Sequence, residues 1–359
     1  MASNKRIFYA CEGVQLAPVS DVGLTGTWVS PKGLQSVGMT TNFNLEKVFQ
    51  LGQLAVYENI EGNPEIEVTL NKILDGTKPL FHICMAGKDN PDSDTLNIAT
   101  GQNNKVAMKF LIYPESNLVA TGAPTAELLC KDMYANSFTY TFPTDGNATE
   151  EVTLVGNDKT WSGGTNPTNV IGTSNDGQGE IASTVVRRWK FDTASCIFPT
   201  GSGAMRLGQA GEVPPLTNVS VSFDLGREPI YTLGSYKPYL RTVTFPVEIT
   251  TEIESLAIDG DYLDINENTY SCLEDRSKRP ANKEIRFVIC GSGNLGGNTN
   301  KLAIDLGKRN KLSSISYGGG EAGGGNLTVT YSFTTDNFFT MTTSGTWKST
   351  SGITYSEGM

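Results

Sequence analysis

The chain is poor in the residues that most enzyme chemistry needs. Among its 359 residues there is one histidine, His82, set in the apolar run Leu80-Phe-His-Ile-Cys84. Without a second imidazole, a His-rich zinc site has nothing to build on, and a Ser-His-Asp triad would have to pass through His82 with no G-x-S-x-G elbow to serve it. His82 is therefore expected to be a core residue, and the chain is not expected to be an enzyme. The six cysteines, Cys11, Cys84, Cys130, Cys196, Cys272 and Cys290, show no C-x-x-C spacing. Four lie in or beside strand-like apolar runs, which points to buried reduced thiols and away from disulfides or a metal. No apolar run approaches the roughly 20 residues of a membrane helix. The opening Met-Ala-Ser-Asn-Lys-Arg-Ile-Phe does not resemble a signal peptide, so folding in a cytoplasm is the expectation.

Two glycine-rich stretches imitate nucleotide motifs and fail on context. Gly291-Ser-Gly293-Asn-Leu-Gly296 follows a strand-like run, but Gly297-Asn-Thr-Asn300 is a poor helix start, and the pyrophosphate fingerprint requires a helix there. Gly318-Gly-Gly320-Glu-Ala-Gly323-Gly-Gly325 has no Lys-Ser/Thr and suits a turn. No cofactor is expected. Lys and Arg number 28 against 38 Asp and Glu, a net charge of −10. The imbalance is carried almost wholly by residues 1–183, at −9, against −1 for residues 184–359. A chain of this balance is a poor candidate for gripping nucleic-acid phosphates.

What the chain does have is 39 glycines, few charges at 18%, and Thr, Val, Ile, Phe and Tyr in short dense runs, the profile of an all-β protein. The clearest stretch runs from Asn218 to Leu256. Val219, Val221, Phe223 and Leu225 alternate with polar neighbours in one arm, and Val247, Ile249 and Ile253 in the other. Period two gives each arm one apolar and one polar face. The connection, Gly226–Thr244, is too long for a tight turn and carries Pro229 and Pro238, so an ordered loop is expected there.

The pattern occurs twice. Phe43-Asn-Leu45 matches Phe223-Asp-Leu225, Phe49-Gln-Leu-Gly52 matches Tyr231-Thr-Leu-Gly234, Glu67-Val-Thr69 matches Glu248-Ile-Thr250, and Phe110 matches Phe287. This is a tandem duplication of one β-rich domain, with the first copy in residues 1–183 and the second in 184–359. The Gly-, Asn-, Ser- and Thr-rich stretch 156–180 suits a loop or linker at the end of the first copy. In the first copy, strands are expected at Arg6–Ala10, Gln35–Leu45, Glu65–Leu74, Lys105–Tyr113, Ser137–Phe142 and Glu151–Val155. Val48–Tyr57 is ambiguous between helix and loop, and Thr77–Met85 with the Asn/Asp-rich segment that follows to Thr100 suits a short helix or a long loop. In the second, strands are expected at Glu284–Cys290, Leu312–Tyr317, Asn326–Phe333 and Phe338–Trp347. A fold of two tandem all-β domains follows.

One constellation of carboxylates remains. Glu65 and Glu67 share a face of one arm, and Glu248, Glu252 and Glu254 a face of the other, by alternation alone. Catalytic carboxylate pairs need environments that separate their pKa values, and a ladder of equivalent glutamates beside threonines offers none. An ordinary solvated sheet face and a functional hydrated wall both fit.

Taken together, Ser222-Phe-Asp-Leu-Gly-Arg-Glu-Pro-Ile-Tyr-Thr-Leu-Gly234, Arg241-Thr-Val-Thr-Phe-Pro-Val-Glu-Ile-Thr250 and Gly325-Asn-Leu-Thr-Val-Thr-Tyr331 resemble the tail tube (major tail) proteins of tailed bacteriophages. The resemblance implies a β-sandwich with a flanking helix, whose long hairpin joins those of neighbouring subunits into a closed barrel around the channel that delivers the genome. It implies a virion location in the tail, assembly with itself, and contact with tape-measure, terminator, baseplate and sheath proteins. The doubled domain implies a homotrimeric, pseudo-hexameric ring, with a hexamer as second choice. DNA would pass without specific binding, and Glu65, Glu67, Glu248, Glu252 and Glu254 would line the lumen. Arg227, Glu228, Tyr231, Tyr236 and Tyr239 would form a loop contacting the next ring. A terminator or baseplate hub built on the same doubled domain is the nearest alternative. A carbohydrate-binding or adhesin module is the alternative of another class.

Overall fold

The computed structural model describes residues 12–19, 28–87, 93–114, 124–163, 185–187, 191–192, 195–198, 215–235, 237–257, 282–290, 301–319 and 326–348. The first repeat contains β1 (Glu12–Val19), β2 (Leu34–Asn42), β3 (Glu46–Phe49), β4 (Val56–Ile60), β5 (Glu65–Ile73), β6 (Thr95–Asn97), β7 (Lys105–Ile112), β8 (Ala126–Pro143), β9 (Thr149–Gly156) and β10 (Asp158–Gly163). Two short helices, α1 (Leu80–Met85) and α2 (Ile98–Gly101), lie between β5 and β7. The second repeat contains β11 (Leu216–Asp224), β12 (Glu228–Ile230), β13 (Leu240–Thr242), β14 (Glu248–Leu256), β15 (Arg286–Cys290), β16 (Lys301–Asp305), β17 (Lys311–Gly318), β18 (Thr328–Asp336) and β19 (Thr340–Thr343). The chain is nearly all β, as its composition requires. The expected strand Arg6–Ala10, the domain boundary at 183/184 and the segment Gly291–Gly296 lie outside the described residues.

Both repeats are built on a long hairpin with a smaller hairpin at its tip. β2 pairs with β5 and β11 with β14, while β3 pairs with β4 and β12 with β13. The stretch 48–57, ambiguous in sequence, and the loop after Gly226 are thus short β-arms. Each long strand leaves its arm through the same turn. The Asn44 amide donates to Asn42 Oδ1 at 3.1 Å, and the Gly226 amide to Asp224 Oδ1 at 2.7 Å. That turn puts the residue two positions on at φ 46° in Asn44 and 54° in Gly226, a region that Asn and Gly tolerate best.

These landmarks correct the alignment of the repeats. Asn44 to Gly226 is a step of 182, as is the step from Gly62 to Thr244, whose amides bond to the Phe43 and Leu225 carbonyls. Phe43 therefore corresponds to Leu225, not to Phe223. Thr41 pairs with Ile66 and Phe223 with Ile249, so Glu65, not Glu67, holds the place of Glu248. A slip of two residues preserves alternation, which is why the hydrophobic pattern could not reveal it.

The hairpins join into one sheet. Its order is β17-β18-β14-β11-β8-β9-β5-β2, so the four-stranded unit β8-β9-β5-β2 is repeated as β17-β18-β14-β11 and the two units meet where β11 pairs with β8. β8 is long enough to serve a second layer. Its first half pairs with β7 and β10, with β1 beyond β7. At Asp132 (φ 52°) and the bulge between Ala135 and Ser137 the strand bends and passes into the main sheet. The second repeat's back layer is β15-β16-β19, to which β6 of the first repeat adds as an edge. β10 falls inside the glycine-rich stretch expected to be a loop.

The core lies between the layers and runs through both repeats without a break. Phe81 of α1 packs edge-on to Phe138 of β8 and to Phe339, both at 5.1 Å between ring centres, and Phe223 lies 4.7 Å from Phe339. Aromatic pairs at these distances are favourable beyond their buried area. A buried carboxylate seats α1 on the sheet. Glu150 of β9 accepts the Leu80 and Phe81 amides at 2.7 and 2.9 Å and the Tyr140 hydroxyl at 2.9 Å.

Candidate functional site

Alternation along the eight strands sends most apolar side chains into the core and leaves a face that is predominantly polar. In the centre, Ser137, Thr139 and Thr141 of β8 stand beside Asp224, Ser222 and Ser220 of β11. On one side follow Glu248, Thr250, Glu252 and Glu254 of β14, then Asp336, Thr334, Ser332 and Thr330 of β18, then Ser314 and Ser316 of β17. On the other follow Glu151 and Thr153 of β9, Glu65, Glu67, Thr69 and Asn71 of β5, and Ser36, Gly38, Thr40 and Asn42 of β2. Val155, opposite Glu67, and Ile73, opposite Thr149, are the apolar members of this side among the described residues of β5 and β9, and neither is exposed. Carboxylates outnumber cations, with Lys311 at the β17 end the one lysine on the face.

Sequence reasoning placed Glu65, Glu67, Glu248, Glu252 and Glu254 on two hairpin faces. The structure brings those faces into one sheet, four strands apart. Glu67, Glu248 and Glu252 are exposed, and Glu254 is half-buried. Glu252 accepts from the Ser220 hydroxyl at 3.5 Å. Glu65 lies at the end of the face, where Arg241 holds it at 2.8 Å. No cluster of metal-ligating side chains is present among the described residues.

The face ends in two unlike edges, the outer side of β2 and the outer side of β17. Each corresponds to a strand that is paired within the chain, β2 to β11 and β17 to β8. Apolar residues on the core side of these edges are only partly covered: Val37 and Met39 on β2, Leu312 and Ile315 on β17.

The two arms differ sharply in what they touch. The β12–β13 arm lies on the first repeat. Arg227, placed by sequence in a ring-contact loop, is instead buried inside the chain. It donates to the Ala135 carbonyl at 2.8 Å and the Gln102 carbonyl, and its guanidinium stacks 5.2 Å over the Tyr134 ring. Burial lowers its pKa to about 10, so it stays charged at neutral pH. Arg241 is 2% exposed and also donates to Asn157 Oδ1 at 3.0 Å, while Lys237 pairs with Asp158. Glu228, Tyr231 and Tyr239 remain exposed on this arm, and Tyr236 lies outside the described residues. The β3–β4 arm, by contrast, presents Phe43, Leu45, Phe49, Leu51, Leu54, Tyr57 and Ile60 to solvent, with Leu51 and Leu54 fully exposed.

The residues that sequence reasoning missed are those with partners distant in the chain. Arg241 joins the repeats, and Glu150 holds the helix. Glu150 is pushed up by burial, against which Lys72, the two helix amides and the Tyr140 hydroxyl act. His82 is fully buried, and burial, with Lys78 next, lowers its pKa to about 4. Cys84 and Cys130 are buried thiols. No helix among the described residues is long and apolar enough to cross a membrane. Comparison with models of protein families and with curated proteins finds no match to this chain.

Proposed function

We propose that the chain is a structural tube protein. Copies close side by side into a ring whose inner wall is the acidic sheet face, and rings stack into the tail tube of a bacteriophage virion. The observation that carries this reading is one continuous polar face bounded by two edges that repeat, within the chain, the two strands already paired at β11–β8. An exposed edge invites another strand, and only closure removes it. β2 of one copy offers β17 of the next the joint that β11 makes with β8.

Size favours three copies. With strands ~4.8 Å apart and tilted ~40°, 24 strands enclose a barrel of radius roughly 24 Å, against roughly 16 Å for the 16 strands of two copies. After side chains of ~6 Å are set inside, the larger ring leaves a hydrated margin around a duplex and the smaller does not. The wall chemistry suits passage. Hydroxyls keep it wet, and carboxylates repel phosphate, so DNA slides without being held.

Electron microscopy of the purified chain, with light scattering on the soluble fraction, tests the reading. Hollow tubes, or rings with the mass of three chains, are expected. A monodisperse single chain at all concentrations would sink it.

A further inference from the structure

We infer that the β3–β4 arm of one copy seats on the second repeat of the next, over the bulge at Leu312–Ser313, as β2 pairs with β17 in the register that sets Thr41 opposite Ile315. This rests on the ring reading above and adds to it the seat and the register.

The seat is duplicated in detail. β8 is bulged against β9 between Ala135 and Ser137, and β17 against β18 between Leu312 and Ser314. The steps from 135 to 312 and from 137 to 314 are both 177. Within the chain, the base of the β12–β13 arm sits on the first of these bulges. The Leu225 amide donates to the Asn136 carbonyl at 2.7 Å, and the Arg227 amide to the Asn136 side chain at 3.2 Å. Moving the arm back by 182 and the seat forward by 177 puts Phe43 where Leu225 stands and Ser313 where Asn136 stands. The same steps turn the observed pairs Phe223 with Phe138 and Val221 with Tyr140 into Thr41 with Ile315 and Met39 with Tyr317.

Exposure fits the missing partner. Leu225 is fully buried by its seat, whereas Phe43 at the same place is 53% exposed. Charge fits as well. The seat of Arg241 is Glu65 and Asn157; its counterpart beside β14 is Glu248, which stands across the sheet from Asp336, and both carboxylates are exposed. On the free arm the place of Arg241 is taken by Asn59, and Lys47 stands directly opposite Asn59, so the two share a face. Lys47 thus brings a cation to two carboxylates. In turn Leu45 replaces Arg227 where the seat offers Lys311 in place of Tyr134, which spares the joint a clash of like charges.

Paired cysteines test the register. Opposed residues of neighbouring strands lie within disulfide reach, and residues four positions out of register do not. In full-length protein, Thr41→Cys with Ile315→Cys is expected to give, on mild oxidation, at least tenfold more disulfide-linked multimers than Val37→Cys with Ile315→Cys. Each single variant, checked for wild-type melting, stays unlinked. Lys47→Glu is expected to weaken association at least tenfold, and adding Glu248→Lys to restore it. If rings form but the in-register pair fails to link, or the shifted pair links equally well, the seat and register are wrong while the ring stands. If every form remains a single chain, both fall.

Discussion

Arg241 of the second repeat sets its guanidinium 2.8 Å from the Glu65 carboxylate of the first, and 3.0 Å from Asn157 Oδ1. The arginine is buried, but Glu65 is 40% exposed and keeps much of its hydration. The pair therefore contributes less than a fully buried one. Arg241→Ala is expected to lower unfolding stability by about 1–3 kcal/mol, mainly through the acceptors it leaves unmet. Arg241→Lys should recover less than half of that, because a single ammonium cannot reproduce the fork. Urea unfolding of the three proteins checks both.

His82 makes a pH test of the core. Its pKa is 6.5 when unfolded and about 4 when folded, because burial disfavours the imidazolium. Above pH 6.5 both states are neutral and the contribution is fully present. As the pH falls from 6.5 towards 4 the unfolded chain takes up a proton that the folded chain refuses, and about 3 kcal/mol of stability is lost. Glu150, pushed upward by burial, acts in the opposite direction over its own titration. Comparing wild type with His82→Gln across pH 7 to 4 isolates the histidine, and equal slopes for the two proteins would refute its share.

The hairpins were legible because alternation and the paired Gly52 and Gly234 turns are local signals. The arms were not, since four- and three-residue strands around an exposed apolar tip carry too little period to separate strand from loop. β10 was hidden by composition, because Asp-Lys-Thr-Trp-Ser-Gly looks like a linker until β8 supplies a partner. The acidic ladder was readable as a face on each hairpin. Its extension across β8, β9, β11 and β18 follows from strand order, a long-range property. Arg227 was assigned outward for a related reason: nothing near it in sequence announces Tyr134 and the Ala135 carbonyl as its partners.

Glu150 is next to Glu151 and, by composition, indistinguishable from it. Every group around Glu150 donates: two helix amides and the Tyr140 hydroxyl. A glutamine would turn an N–H towards these donors. Glu150→Gln is expected to destabilise the fold by about 1–3 kcal/mol. Glu151→Gln, on the solvent face, should change stability by less than about 0.5 kcal/mol. Thermal unfolding of the pair separates the two roles, and equal effects would argue against the helix seat.

The acidic face predicts a specific gain of unwanted function. Glu252 and Glu254 lie on one face of β14 and touch neither the core, nor the β2 and β17 edges, nor the Glu248–Asp336 seat of the neighbouring arm, so Glu→Lys at both should leave the fold and ring assembly intact. Each substitution replaces a repelling charge with one that releases counterions from the DNA backbone. Assembled variant tubes should then retain double-stranded DNA at low salt, with affinity falling steeply as salt rises, while wild-type tubes retain none. On the tube reading proposed above, a phage with this variant as its sole tube protein should deliver its genome poorly. Normal infectivity together with unchanged DNA retention would remove this face from the lumen, whatever the shape of the particle.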